Sequence, residues 1–471
     1  MKIRFFLIFL LSCTGFAQVT ITLDPATTYQ TMIGWEAHGN SPRDFPPTYQ
    51  QVSDQIFDLL VEVGVNRVQL IFRAGIENTQ DFWQMVEDSL IPYNPDFREL
   101  RYTTVNDNND PNVINWNGFH FTETKRTLDN VVVPIKQRLE AIGESLWISG
   151  VYVAFTAQNR SGTQYHHTDP DEYAEFVLAC YQWMDNTYGF VPDSWEIILE
   201  PDNNGTPHWN KNMMGAAIVA AGDKLQQHGY TPNFVIPSTL SMGEAWKFFD
   251  TIIQTPGVLN YIKDISYHRY SGANLTNLQN IANRAVQYGL NTFMSEWWHQ
   301  NNDYQTLHED LKIGLNSSWQ KGIAAGQPSS KQAFVIVDDS NPNNPIVSLH
   351  PKTKMMRQYF KEVRRGAVRI DATTTNGAFD PLAFINTNGT YVVIIKADNN
   401  GTFDIAGLPA GQYGIFYTTN SQYDVHLNDV TINTGETLTT SIPAAGVITV
   451  YGTTSTDTTP PQTPANLKVL K

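Results

Sequence analysis

From Gln30 to Arg364, short apolar runs alternate with amphipathic helical stretches, and few folds accept that order. The runs lie at 30–37, 67–73, 146–155, 195–199, 233–237, 264–270, 291–296 and 332–337. They are rich in β-branched and aromatic residues, as buried strands are. Val52, Ile56, Leu59, Leu60 and Val63 mark one helix face, closed by Gly64. Another helix opens at Asp169-Pro170, with cap and proline in the right places, and closes at Gly189. Pro134 must kink or restart the helical face running from Leu128 to Ile142. A helix is expected from Tyr304 to near Gln320, and a last one near 354–364. About eight strands alternating with helices over roughly 330 residues predict a parallel (β/α)8 TIM barrel. The alternative is a doubly wound open sheet, but no Gly-rich phosphate loop follows any early strand.

The texture changes at Gly366. From there to Tyr451 short alternating strands are separated by Asn-Gly and Pro-Ala-Gly turns, which predicts an all-β sandwich. The strand at 19–23 is expected to pair into it. A long polar insert at 78–121, rich in Asn, Asp and Pro, reads as a functional loop region. The expected organisation is a signal peptide at 1–17, the pairing strand at 18–29, the barrel at 30–365 and the sandwich at 366–453. A Thr/Pro linker and the start of a further module occupy 454–471.

The signal peptide is read from Lys2 and Arg4, the apolar run that follows, and Gly15-Phe-Ala17. Cys13 offers a lipoprotein site as the lesser alternative. No other run has the length of a membrane helix, so the chain is expected outside the cytoplasm, secreted or periplasmic. Cys180 would then be the one remaining thiol, at helical spacing among Tyr173, Phe176, Val177 and Met184, and reads as a core residue. The net charge of -15 argues against a nucleic-acid partner. Charged residues are 16% and aromatics 12%, a composition that folds. A monomer is expected.

The chemistry is read from two glutamates. Glu200 follows the run Trp195-Glu-Ile-Ile-Leu199 and precedes Pro201. Glu296 ends the run 291–296, before Trp297-Trp298. By strand count they close the fourth and seventh strands, at the barrel face where active sites lie. Two carboxyls at strand ends, walled by aromatic rings, suit glycoside cleavage, in which one carboxyl is protonated and the other ionised. Glu196 shares the face of Glu200 but lies about 13 Å deeper along an ideal strand, and reads as a buried, paired carboxylate. Trp35, Trp209, Trp297, Trp298 and Tyr165 offer flat faces for sugars, with core packing as the ordinary alternative. His166, His167, His208 and His299 lack any metal-ligand spacing, so no metal and no cofactor are expected.

The order of four motifs resembles glycoside hydrolase family 30 of clan A, the group of glucosylceramidases, β-1,6-glucanases and xylanases. These are Tyr29-Gln-Thr-Met-Ile-Gly-Trp35, Leu199-Glu-Pro201, Ser295-Glu-Trp297 and Tyr359-Phe-Lys-Glu-Val-Arg-Arg-Gly-Ala-Val-Arg-Ile370. The resemblance implies a secreted retaining β-glycoside hydrolase for a poly- or oligosaccharide, with Glu200 as acid/base and Glu296 as nucleophile. It implies that Tyr270 hydrogen-bonds the nucleophile. His268, on the same face, is expected to bind sugar or Glu296. Arg73, or alternatively Arg67, is expected to hold Glu296 ionised by charge pairing. One position departs from the clan. Its asparagine before the acid/base, which contacts the sugar 2-hydroxyl, is Leu199 here. Asn203 or Asn204 then substitutes, or the sugar is unusual at C2, or the barrel binds glycan without cleaving it.

Overall fold

In a computed structural model, residues 18–39, 45–158, 165–203 and 209–453 are described. The expected signal peptide, the linker, Asn204 and His208 lie outside them. The alternation closes into a barrel of eight parallel strands. They are β2 Gly34–His38, β3 Arg67–Arg73, β4 Trp147–Val153, β5 Ser194–Glu196, β6 Phe234–Ser241, β7 Ile262–Ser271, β8 Asn291–Glu296 and β9 Asn316–Ile323. Helices cover the outside, where strand residues such as Val68, Leu70, Phe72 and Trp195 are buried and apolar. Trp195 packs on Phe72 and Tyr181, and Trp35 stacks on Phe360 of the last helix at 4.5 Å. The proline effect is visible at 128–134, where a wide π-type turn at Leu128–Val132 hands over to a helix restarting at Val133.

The inner face is polar. Arg67 donates Nε to Glu36 at 2.5 Å and reaches Ser318 and Ser149 at 3.3 and 3.2 Å. Gln320 donates to the other oxygen of Glu36 at 2.7 Å. Both charges of the pair are fully buried, so Arg67 is a ligand of the barrel interior and not of Glu296. This polar lining is also why the eighth strand differs from expectation. The helix begun at Tyr304 ends at Lys312, and Asn316–Ile323 completes the barrel with Ser318 and Gln320 turned inward. The apolar run near Val335 instead joins a small three-stranded sheet with Ala325–Gly326 and Ile346–Leu349.

β1, Val19–Thr31, runs antiparallel to Val368–Thr374 and parallel to Gly401–Ala406. It thereby enters a ten-stranded sheet formed by the C-terminal residues. Ile21 and Leu23 share one core with Ile415, Leu438 and Val450, from strands far apart in the sheet order, so the sheet wraps around that core. Its other face carries Phe384, Ile394 and Val447 into the core of the barrel's last helix, with Met356 and Phe360. Arg357–Glu62 at 2.9 Å and Arg364–Glu144 at 2.7 Å bind this helix region back to the barrel. The insert at 78–121 carries the short helices Phe82–Glu87 and Pro95–Leu100.

Candidate active site

Glu200 and Glu296 meet at the C-terminal mouth of the barrel. Glu200 follows β5, the fourth barrel strand. Its backbone N–H bonds the Ser238 carbonyl at 2.9 Å, so it stays tied to β6 after regular pairing has stopped. Its φ of 51° is left-handed, which is uncommon away from glycine and turns the side chain toward the barrel axis. Glu296 closes β8, the seventh strand, and pairs in register with His268 of β7. Carboxylate oxygens of Glu200 and Glu296 and a ring nitrogen of His268 all lie within 4.8 Å of one another.

Each carboxylate has its own partners. Tyr270 Oη donates to Glu296 Oε1 at 2.8 Å and accepts from the Trp298 backbone at 3.0 Å. His268 Nδ1 lies 3.0 Å from Glu200 Oε1, and the Asn203 amide donates to Glu200 Oε2 at 2.7 Å. His268 was expected to bind sugar or Glu296; its hydrogen bond at the mouth goes to Glu200, and it acts on Glu296 through charge. Trp298 sets its ring edge against His38 at 5.0 Å and reaches Gln320 at 3.5 Å. Trp297 is mostly buried, stacked on His299 at 5.4 Å and covered by Arg269 at 5.5 Å.

Four other candidates are not brought here. Trp35 is 1% exposed, stacked on Phe360, with its indole N–H on the Val363 carbonyl at 2.8 Å. Trp209 is 1% exposed and packs its ring against Tyr173 at 4.8 Å. Rings sealed on both faces offer nothing to a sugar. Arg73 is held by Glu123 at 2.9 Å, because the helix Thr122–Thr127 places that carboxylate, shared with Arg101, beside the end of β3. Tyr165 is likewise buried, bonded to Tyr152.

The electrostatics reverse one expectation. Burial raises the Glu200 carboxyl, but the hydrogen bond and charge of His268, with Asn203, outweigh it and leave Glu200 below the usual range. Burial pushes Glu296 up, as does the charge of Glu200, against the lowering effects of His268 and Tyr270. Burial disfavours the His268 cation, yet the hydrogen bond to Glu200 and the charges of Glu296, Glu200 and Glu196 raise it to about 9. The expectation was a protonated Glu200 beside an ionised partner. Instead, at neutral pH the proton nearest Glu200 sits on the imidazole. The imidazole Nδ1 faces Glu200 and its Nε2 faces Ser238 at 3.2 Å.

Sequence reasoning missed Ser238. It is the extra residue of a bulge where β6 pairs with β7, between Pro237 and Thr239, and its φ of 54° is also left-handed. The Pro237 before it was the available signal. Leu199 is 8% exposed and packs with Val151 and Val153, under Ile71, Tyr102 and Phe155.

No protein-family model matches the chain, and no curated protein matches it. Solved structures do. A GH30 endoxylanase from Clostridium papyrosolvens is 15% identical, with a TM-score of 0.65 over 93% of this chain and 100% of its own. A conserved exported protein from Bacteroides fragilis is 13% identical, with a TM-score of 0.65 over 92% of this chain and 100% of its own. An endo-beta1,6-glucanase is 16% identical, with a TM-score of 0.62 over 92% of this chain and 93% of its own. The fold of this chain, (β/α)8 barrel and β-domain together, is the one it shares with these solved structures, a GH30 endoxylanase among them.

Proposed function

We propose that this chain is a secreted retaining β-glycoside hydrolase for a poly- or oligosaccharide. Glu296 is the nucleophile and Glu200 the acid/base. The observation that carries the reading is that an oxygen of each carboxylate comes within 4.8 Å of one on the other at the barrel mouth. Retention uses carboxyl groups about 5–5.5 Å apart, whereas inversion needs roughly 6.5–9.5 Å to admit a water. Neighbours in fold named as a xylanase and a glucanase support a glycan substrate, and one named as an exported protein supports secretion. Tyr270 keeps Glu296 in its attacking rotamer. Asn203 and His268 orient Glu200, and Trp298 and Trp297 border the sugar. No helix among the described residues is long and apolar enough to cross a membrane.

Leu199 favours a second reading, a barrel that binds glycan without cleaving it. An alkyl chain among valines gives a sugar 2-hydroxyl no partner. A panel of aryl β-glycosides, xylans and β-glucans, followed by proton NMR, separates the readings. Release of the β-anomer first is expected. The α-anomer first overturns retention, and binding to a glycan without turnover of any substrate establishes the second reading.

A further inference from the structure

Beneath Glu200 lies a buried chain of side chains that substrate does not reach. Glu200 Oε1 faces His268 Nδ1 at 3.0 Å. His268 Nε2 faces Ser238 Oγ at 3.2 Å, and Ser238 Oγ donates to Glu196 Oε1 at 2.6 Å. His268, Ser238 and Glu196 are fully buried. Three strands supply them, and the bulge in β6 points Ser238 into the gap between the other two. Regular pairing there would turn that hydroxyl away from the axis.

We propose that Glu196 and Ser238 are positioning residues that fix the tautomer of His268, so that the proton used by Glu200 is always the one on Nδ1. This rests on the assignment of Glu200 as acid/base. Which ring nitrogen holds its proton is set by what the other nitrogen meets. A serine hydroxyl can donate or accept. Glu196 decides, because it takes the Ser238 proton and leaves the serine oxygen only its lone pairs for Nε2–H. Nε2 therefore keeps its proton, and Nδ1–H is the mobile one. In the first step Glu296 forms a bond to the sugar C1 while the C1–O bond to the leaving group breaks. The Nδ1 proton passes through the Glu200 carboxyl to the departing oxygen, and His268 is left neutral with Nε2–H still on Ser238. Water then forms the new bond to C1 as the bond to Glu296 breaks, and its proton returns through Glu200 to Nδ1.

The surroundings agree. Burial raises Glu196 to about 8, so where the His268 ring loses its charge, near 9, Glu196 is a carboxylate that can only accept. The charged and titratable groups facing His268 are Glu200 and Asp202 after β5, Glu196 on β5, Tyr270 on β7 and Glu296 on β8. Glu36, which faces Glu196 from β2, is paired with Arg67.

The test is nitrogen-15 imidazole NMR on the full chain, with His268 assigned by loss of its signals in His268→Gln. In wild type the neutral ring is expected as the Nε2–H tautomer. Ser238→Ala and Glu196→Ala should each mix the tautomers and lower the His268 pKa by about one unit, the loss of one hydrogen bond to a charged group. The alkaline limb of kcat/KM should fall with it, and Glu196→Gln, which keeps the acceptor, should keep the wild-type tautomer. An Nδ1–H tautomer in wild type, or an unchanged tautomer and pKa in Ser238→Ala, overturns the proposal. Ser238→Ala removes one oxygen and decides the matter if Glu196→Ala does not fold. Wild type that hydrolyses nothing sinks the assignment of Glu200, while the tautomer measurement still decides the chain.

Discussion

Tyr270→Phe removes one oxygen from the site and leaves the ring. That oxygen donates to Glu296 Oε1 at 2.8 Å and accepts from the Trp298 backbone at 3.0 Å. A hydrogen bond to a charged group is worth about 1.5–3 kcal/mol. It favours the ionised carboxylate, so its loss raises the Glu296 pKa further, by about one to two units at 1.36 kcal/mol per unit. The nucleophile must be ionised to attack. The acid limb of kcat/KM should therefore move to higher pH by that amount, while the alkaline limb, set by the proton on His268 and Glu200, stays. The looser carboxylate should lower kcat/KM near neutrality by roughly ten- to a hundredfold. Tyr270 is 37% exposed, so folding stability should change little. The assay is kcat/KM against pH on the best substrate of the glycoside panel, with a thermal melt as control. An acid limb that stays in place, with kcat/KM within about twofold of wild type, would refute the role given to Tyr270.

Other outcomes follow from the same geometry. Arg67→Met strands the buried Glu36 carboxylate and should cost about 3–5 kcal/mol in urea unfolding, with much of it recovered in the Arg67→Met, Glu36→Gln double variant. Leu199→Asn buries an amide beside Val151 and Val153 and should cost roughly 1–3 kcal/mol of stability, read the same way. If Leu199 alone limits simple β-glucosides, that variant should also turn them over faster, and no gain leaves Asn203 as the amide that serves the site. Truncation after Gly366 removes Phe384, Ile394 and Val447 from the core they share with the barrel and should give insoluble protein, whereas a soluble, melting fragment counts against that.

The strand that ends in Glu296, and the one that stops at Glu196 four residues before Glu200, were legible because hydrophobic periodicity and a following proline or aromatic pair survive in sequence. So was Tyr270, two residues past His268 on an inward face. The eighth strand was not. Its inward positions are Ser318 and Gln320, which serve the Arg67–Glu36 pair, and no apolar run announces it. Trp35 and Trp209 misled because an indole in the core and an indole under a sugar look alike in sequence, and only burial separates them. Arg73 was placed at the right strand end, but Glu123, fifty residues on, claims it. The location of the proton near Glu200 was hidden most deeply, since it depends on a bulge in β6 that brings Ser238 between Glu196 and His268.

Azide rescue tests the central assignment most directly. Glu296→Gly and Glu200→Ala are each incubated with an activated aryl β-glycoside and sodium azide, and the glycosyl azide formed is assigned by NMR. Without its nucleophile the protein should deliver azide from the opposite face and give the α-glycosyl azide. Without its acid/base it should form the glycosyl-enzyme and give the β-glycosyl azide. The opposite pairing, or undiminished turnover by Glu296→Gly without azide, would contradict Glu296 as nucleophile and Glu200 as acid/base.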